Sequence, residues 1–387
     1  MVDKVSVSNS SSSHTQNHLT LKGRVNLGSF YTPAKYVAQI ASWLLAHGID
    51  KGWTIADLSC GYGAFFELQE IAELSECRFV GNDIDHEAIE KAKEFFPNVE
   101  WRESNALADV TRQHFGFKEN ERIVIVGNPP YNDVTSQINQ NIKTKTAAID
   151  QDIKTRDLGM SSLLSYNKLR ADYVAVLHPL SHLIKKSNFL ATKNFFTNYT
   201  MLEHIVFSSQ EFANTSKCTS FPVIAALYKR TEGQGLSYPQ IREMVFRTVE
   251  GNAFSIGQFD YVTDEIAKYP GDKRFTPEIL FYTMRDINAL MRCRTFIKER
   301  IANAIDVNPE KLAYYCYVDC FKRYASIPYW MGNFNVPYDK VTFPDIENEV
   351  VIDAKFHHPE IFGESQPPAE EAIAQIRQYI DSLMQRP

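Results

Sequence analysis

The residues best suited to chemistry stand in Asn128-Pro129-Pro130-Tyr131, directly after Ile123-Val124-Ile125-Val126-Gly127. Four β-branched residues in succession read as a buried strand, too short and too branched for a helix. Gly127 frees the backbone, and Pro129 and Pro130 cannot donate to a β-ladder, so the chain must leave the sheet there. Asn128 and Tyr131 are therefore expected on a stiff loop at the carboxyl end of a strand, the edge where ligands bind in open α/β sheets. An amide oxygen fixed at that edge can accept a hydrogen bond from a nitrogen about to react. A flat phenol ring beside it offers a surface for an unstacked base. The same residues also describe a plain proline turn with a polar cap.

A second group lies upstream. Trp53–Ala56 reads as a short strand that delivers Asp57, followed by Ser59, Cys60, Gly61 and Gly63 and a helix starting near Ala64. The glycines allow a tight turn and close approach of a ligand to the backbone, but the third glycine of a dinucleotide fingerprint is missing. Arg78–Asp85 is the next strand. A carboxylate at its tip, Asp83, suits a pair of ribose hydroxyls, whereas Asp85 reads as the cap of a helix over 86–96. Val99–Leu107 is a third, shorter strand and turn containing Asn105.

The elements that must position these residues follow in order. Thr32 is expected to cap a helix with Pro33 in its first position, and Val37, Ile40, Ala41, Leu44 and Leu45 follow at helical spacing. Further strands are predicted over 172–179, 202–208 and 221–229, with a polar turn at 210–216 carrying one aromatic, Phe212. Such alternation of strands and helices predicts a doubly wound α/β domain.

Asn128–Tyr131 resembles the Asn-Pro-Pro-Tyr motif of amino-group methyltransferases, and Asp57-x-x-x-Gly61-x-Gly63-x-Phe65 resembles the nucleotide loop of the same enzymes. Their order, followed by a carboxyl-terminal extension, resembles the gamma-type DNA adenine-N6 methyltransferases of restriction–modification systems, over roughly residues 28–230. The resemblance implies a Rossmann-like class I methyltransferase sheet with a carboxyl-terminal mixed α/β or α+β target-recognition domain. It implies S-adenosylmethionine as cofactor and N6 of a flipped-out adenine in duplex DNA as the methyl acceptor. Asn128 and the Pro129 carbonyl would hold the amine, Pro130 would stiffen the corner, and Tyr131 and Phe212 would sandwich the base. Phe207 is the alternative aromatic, read as core. On the cofactor side, Asp57 would meet the ammonium, and Ser59, Cys60, Gly61 and Gly63 would shape the loop. Asp83 would take the ribose, and Ile84 would pack on the adenine ring. Asn105, where the family has Asp, would take the amino group. Tyr31, Thr32 and Pro33 would cover the methionine end, and Asn128 would border the cofactor as well.

Other readings share the tetrapeptide. Release-factor glutamine methyltransferases place a helical domain before the cofactor loop and end soon after the last strands, the reverse of this order. RNA adenine and cytosine N4 are further acceptors. A degenerate domain serving as a DNA-binding subunit is the non-enzymatic reading, set against the presence of Asp57, Gly61, Gly63, Asp83 and Asn128.

The whole chain bounds these readings. Its 387 residues suffice for two domains. Residues 1–22, rich in Ser, Asn, Thr and His, read as a disordered tail. Residues 23–232 read as the catalytic domain, with a lid-like insertion over 132–168. Gly233 and Gly235 read as a linker to a target-recognition domain over 236–387, where basic residues mix with aromatics at 291–300 and 314–330. An amphipathic helix explains the first of those clusters equally well. A second helix is expected over 368–385. Lys and Arg number 41 against 47 Asp and Glu, a net charge of −6, which disfavours a histone-like coating role. Six cysteines lack zinc-ribbon spacing, so no metal is expected and reduced thiols are. No apolar run is long enough to span a membrane, and the amino terminus lacks a signal core. The partners expected are double-stranded DNA and, in such systems, a cognate restriction endonuclease. The expected protein is a cytoplasmic monomer or weak dimer, nucleoid-associated when bound to DNA.

Overall fold

The computed structural model describes residues 32–131, 148–212, 220–271, 274–275 and 278–386. The expected tail 1–22, Tyr31 and the 132–147 part of the insertion lie outside the described residues. The chain divides into two units, the first running to Ile241 and including Phe246–Val249, the second formed by Arg242–Val245 and the chain from Glu250 on.

The first unit is built on one sheet of seven strands: β1 (Thr54–Asp57), β2 (Arg78–Asp83), β3 (Glu100–Glu103), β4 (Ile123–Gly127), β5 (Tyr173–Pro179), β6 (Tyr199–Ser208) and β7 (Pro222–Arg230). Their order is β3-β2-β1-β4-β5-β7-β6. All neighbours pair in parallel except β7, which lies antiparallel between β5 and β6. Strands β1, β4 and β5 are buried throughout, as expected of parallel strands covered on both faces. Helices α1 (Ala34–Ala46), α2 (His86–Phe95) and α3 (Leu158–Lys168) belong to this unit. Val37, Ile40 and Leu44 of α1 share one core cluster with Ile55, Val124, Val126 and Ala175. The architecture is a Rossmann-like, doubly wound sheet. From β1 the chain proceeds outward to β2 and β3, then returns to β4 on the other side. The carboxyl ends of β1 and β4 thus flank the topological switch point, where such sheets bind ligands.

Three expectations change. Helix α1 begins at Ala34 with an extended Pro33 before it and no side-chain cap, because the Thr32 hydroxyl is engaged elsewhere. Residues 158–168 are no part of a lid: they form α3, capped by Asp157, with Met160, Leu163, Leu164 and Tyr166 buried. Gly235 is no loose linker either. The Leu236 N–H donates to the Phe196 carbonyl at 2.7 Å, and a Cβ on Gly235 would lie 2.1 Å from that oxygen. The glycine is there because two backbones touch.

The second unit is α+β. Leu280–Tyr282 pairs antiparallel with Phe296–Ile297 and with Ala304–Asp306. The three longest helices of this unit follow: α4 (Leu312–Tyr324), α5 (Glu347–His357) and α6 (Glu370–Met384). The stretch 291–300 is not an amphipathic helix, since Phe296–Ile297 is a strand. Arg323, one of the basic residues expected on a DNA face, is turned to an internal task. Its guanidinium donates to Asp319 at 2.6 Å and to Asp353 at 2.8 Å, and both carboxylates are buried. Asp353 also accepts from the Tyr324 hydroxyl, and Asp319 lies 3.0 Å from His358. Burial by itself would raise Asp319, but His358, Arg323 and Thr295 hold it below the usual carboxylate range. Arg323→Ala strands two buried carboxylates and is expected to cost about 3–5 kcal/mol in urea unfolding. Arg323→Met combined with Asp353→Asn is expected to cost less, because one of the stranded charges is gone.

Among the described residues, no helix is long and apolar enough to cross a membrane.

Candidate active site

Asp57 ends β1 as a buried carboxyl whose Oδ1 accepts from the Ser59 N–H at 3.1 Å. Burial pushes it up to about 8; the charge of Asp83 adds to this and the Ser59 N–H opposes it. After Asp57 the chain turns through Gly61 at φ +52° and Gly63 at φ +83°, a region that favours glycine. A Cβ on Gly63 would also fall 2.9 Å from the Phe66 ring. Asp83, at the end of β2, closes onto this loop: Oδ2 accepts from the Gly61 N–H at 2.8 Å and Oδ1 from the Asp85 N–H at 3.0 Å. Burial raises Asp83, against the pull of those two N–H groups. Two acids with raised affinity for protons, held around a glycine turn, form a place for a cation or for hydroxyl donors. Cys60 is buried in the same loop, and burial with the charges of Asp83 and Asp57 pushes its thiol well up, so it is chemically quiet.

Ile84 is 59% exposed and leaves an apolar surface next to Asp83. Asp85 caps α2 through the Glu87 and Ala88 N–H groups. Asn105 is a turn residue: its Nδ2 donates to the Ala148 carbonyl at 2.8 Å and its Oδ1 accepts from the Leu107 N–H at 3.1 Å. Both ends of that amide have protein partners, which leaves the expected cofactor contact without support in this structure.

Sequence reading missed Asn82. It is fully buried, and its Nδ2 donates to the carbonyls of Leu58 and Ser104, both at 3.0 Å, while its Oδ1 accepts from the Ser104 hydroxyl at 2.7 Å. One amide thus ties the loops after β1 and β3 to β2. A polar residue inside an otherwise apolar strand, Phe79-Val80-Gly81-Asn82, was the available signal.

Strand β4 carries the second half of the site. In its register with β1, Thr54, Ile55 and Ala56 pair with Ile123, Val124 and Ile125, so Asp57 comes level with Val126, one residue before Gly127. A Cβ on Gly127 would lie 3.3 Å from Asp57 Oδ1. The acid of one motif and the corner of the other therefore meet at the switch point. Asn128 Nδ2 donates to the Thr32 hydroxyl at 3.2 Å, and the Tyr131 hydroxyl donates to Asn128 Oδ1. The same hydroxyl lies 3.1 Å from the Leu177 carbonyl. A phenol has one proton and serves one acceptor fully at a time. An N–H arriving at Asn128 Oδ1 can therefore displace the phenol proton to Leu177 without leaving it unpaired.

Phe212 requires correction. Its ring is 2% exposed and packs edge-on against Phe207, centroids 5.7 Å apart, within the core cluster. Phe207 in turn stacks on Tyr36 at 3.8 Å. The ring offers no face to a base in this structure; the 213–216 part of the expected polar turn lies outside the described residues. Among the described residues, no group of three or more His, Cys, Asp or Glu is placed to hold a metal ion.

No protein-family model matches the sequence, and no curated protein matches it. Solved structures resemble the chain at low identity. The methyltransferase subunit of a type I restriction–modification system from Streptococcus thermophilus is 17% identical, with 60% of this chain and 48% of that one covered at a TM-score of 0.40. TrmN from Thermus thermophilus is 12% identical, covering 50% and 49%, at 0.34. An rRNA methylase from Streptococcus thermophilus is 12% identical, covering 53% and 100%, at 0.33. At these identities and scores the likeness says nothing of what this chain acts on.

Proposed function

We propose that the chain is an S-adenosylmethionine-dependent methyltransferase whose acceptor is an exocyclic amino nitrogen, N6 of a flipped-out adenine in duplex DNA. The observation that carries this reading is the pinned amide of Asn128, with Thr32 on its nitrogen and an exchangeable hydroxyl on its oxygen, beside a buried acid at the switch point. An exocyclic amine is a poor nucleophile because its lone pair is delocalised into the ring. Asn128 Oδ1 and the Pro129 carbonyl accept its two N–H hydrogens, draw the nitrogen toward a tetrahedral shape and aim the lone pair. The gain is positioning and preorganised electrostatics. Pro129 and Pro130 keep the corner stiff, so little is lost to reorganisation on binding. The Tyr131 ring supports the base.

S-adenosylmethionine, when bound, supplies the methyl as a sulfonium electrophile. The residues present fit such a group: Asp57 would hold its ammonium, Asp83 its ribose hydroxyls, and Ile84 its adenine face. The α+β second unit would recognise the DNA target, and a cognate endonuclease would be the biological partner.

The test is expression in a host free of DNA methylation, followed by mapping of modified bases. N6-methyladenine at one recurring sequence is the expected result. A genome without modified bases, from cells holding folded protein, would overturn the DNA reading.

A further inference from the structure

Asp157, the cap of α3, uses one oxygen twice. Its Oδ1 accepts from the Met160 N–H at 3.0 Å and lies 3.2 Å from His182 Nε2. His182 follows β5 and is 2% exposed. Its other nitrogen, Nδ1, is buried and has no hydrogen-bond partner among the described residues. The imidazole lies flat on His178, with centroids 5.4 Å and planes 7° apart. His178 itself is satisfied at both nitrogens, by the Pro179 carbonyl and the Tyr228 hydroxyl. A proton on His182 Nδ1 would be a buried donor with nothing to bind, a costly arrangement. The neutral ring therefore carries its proton on Nε2, facing Asp157.

This pair abuts the Asn-Pro-Pro-Tyr corner. A Cβ on Gly159 would lie 3.0 Å from His182 Cε1, 3.2 Å from Asp157 Oδ1 and 3.3 Å from the Pro130 carbonyl oxygen. Three groups from three segments converge on one glycine, and no side chain fits among them. The charge also reaches Tyr131, whose phenol is held well up by burial first, then by Tyr166 and Asp157. A purely structural cap needs neither the imidazole nor its empty nitrogen.

We propose that Asp157 and His182 are a positioning pair for the corner, holding a carboxylate near its Pro130 carbonyl while the acceptor nitrogen becomes cationic. The inference rests on the methyltransferase reading. In that reaction the N–C bond forms as the S–C bond breaks, its electron pair staying on sulfur. Positive charge passes to the acceptor nitrogen, which then releases one proton to water. Asp57 and Asp83 serve the cofactor half of the site; Asp157 serves the acceptor half. Acting through Pro130 and Tyr131, a fixed carboxylate there favours the charged product of transfer over the neutral amine, and so acts on kcat rather than on binding.

Asp157→Asn separates the roles, because Asn keeps an oxygen for the Met160 N–H and for His182 but removes the charge. We expect kcat to fall about tenfold or more, with KM for DNA and affinity for S-adenosylmethionine within about twofold and the melting temperature retained. His182→Phe keeps a flat ring on His178 while releasing Asp157, and is expected to lower kcat about three- to tenfold with the same unchanged binding. A wild type that transfers methyl normally, with Asp157→Asn equal to it, makes the pair structural and ends the proposal. A wild type that binds the cofactor but methylates no acceptor overturns the methyltransferase reading, and this inference with it.

Discussion

Asn128→Ala is expected to lower methyl transfer about 10²- to 10³-fold while leaving S-adenosylmethionine affinity within about twofold. In the proposed reaction the amide oxygen is the acceptor that prepares the incoming amine, and alanine offers no acceptor in its place. Folding should suffer little. The Tyr131 hydroxyl keeps the Leu177 carbonyl within reach at 3.1 Å, and Thr32 loses one donor from Asn128. The cost is about 1 kcal/mol, the scale of a single hydrogen bond. The acids proposed to serve the cofactor, Asp57 and Asp83, are held by the N–H groups of Ser59, Gly61 and Asp85, not by Asn128. Single-turnover transfer and calorimetric titration of the cofactor separate the two effects. Wild-type turnover in the variant would remove Asn128 from the mechanism, and joint loss of binding and turnover would make it a cofactor residue only.

Affinity for S-adenosylmethionine should climb with pH between about 6 and 8, by up to about tenfold per unit. The cause is Asp57, which burial lifts to about 8 in the free protein. Below that value the carboxyl is mostly protonated, and it must lose its proton to face an ammonium. Binding then releases a proton, detectable as a dependence of the calorimetric heat on buffer ionisation enthalpy. The sign for stability follows from the same shift. An ordinary aspartate titrates near 3.9, so between about pH 4 and 8 the folded chain holds one more proton than the unfolded chain. The free protein is therefore expected to lose stability as pH rises through that window. Saturating cofactor offsets the loss, because a cation at Asp57 favours the ionised form. Asp57→Asn should weaken binding, flatten the pH slope of affinity and flatten this part of the stability profile. A pH-independent affinity in the wild type would place the ammonium elsewhere.

The motifs were legible because each rests on local rules. Pro129 and Pro130 lack N–H groups, so a strand ending in them must turn out of the sheet wherever it lies. Gly61 and Gly63 mark positive φ, and Asp85 caps α2 as its place before His86 predicts. The strands were legible from runs of β-branched residues, and their alternation with helices implied the doubly wound sheet. Errors gathered where one residue type serves two local roles. Thr32 reads as a cap but binds Asn128; Arg323 reads as a surface cation but neutralises two buried acids.

By itself, then, the amino-acid sequence determined the corner, the glycine turn and the class of sheet, since each depends on backbone freedom that a residue carries with it. Only the tertiary structure decided what these parts face. Thr32 and Asn128 stand 96 residues apart, and their hydrogen bond exists because α1 packs on the sheet that ends in that corner. Gly127 meets the Asp57 carboxylate because β1 and β4 lie side by side, Phe212 turns inward because Phe207 offers it a core, and Asp157 finds His182 because α3 begins beside the end of β5. Side-chain partners are set by distances between elements, and those follow from packing the whole core rather than from any window of the chain.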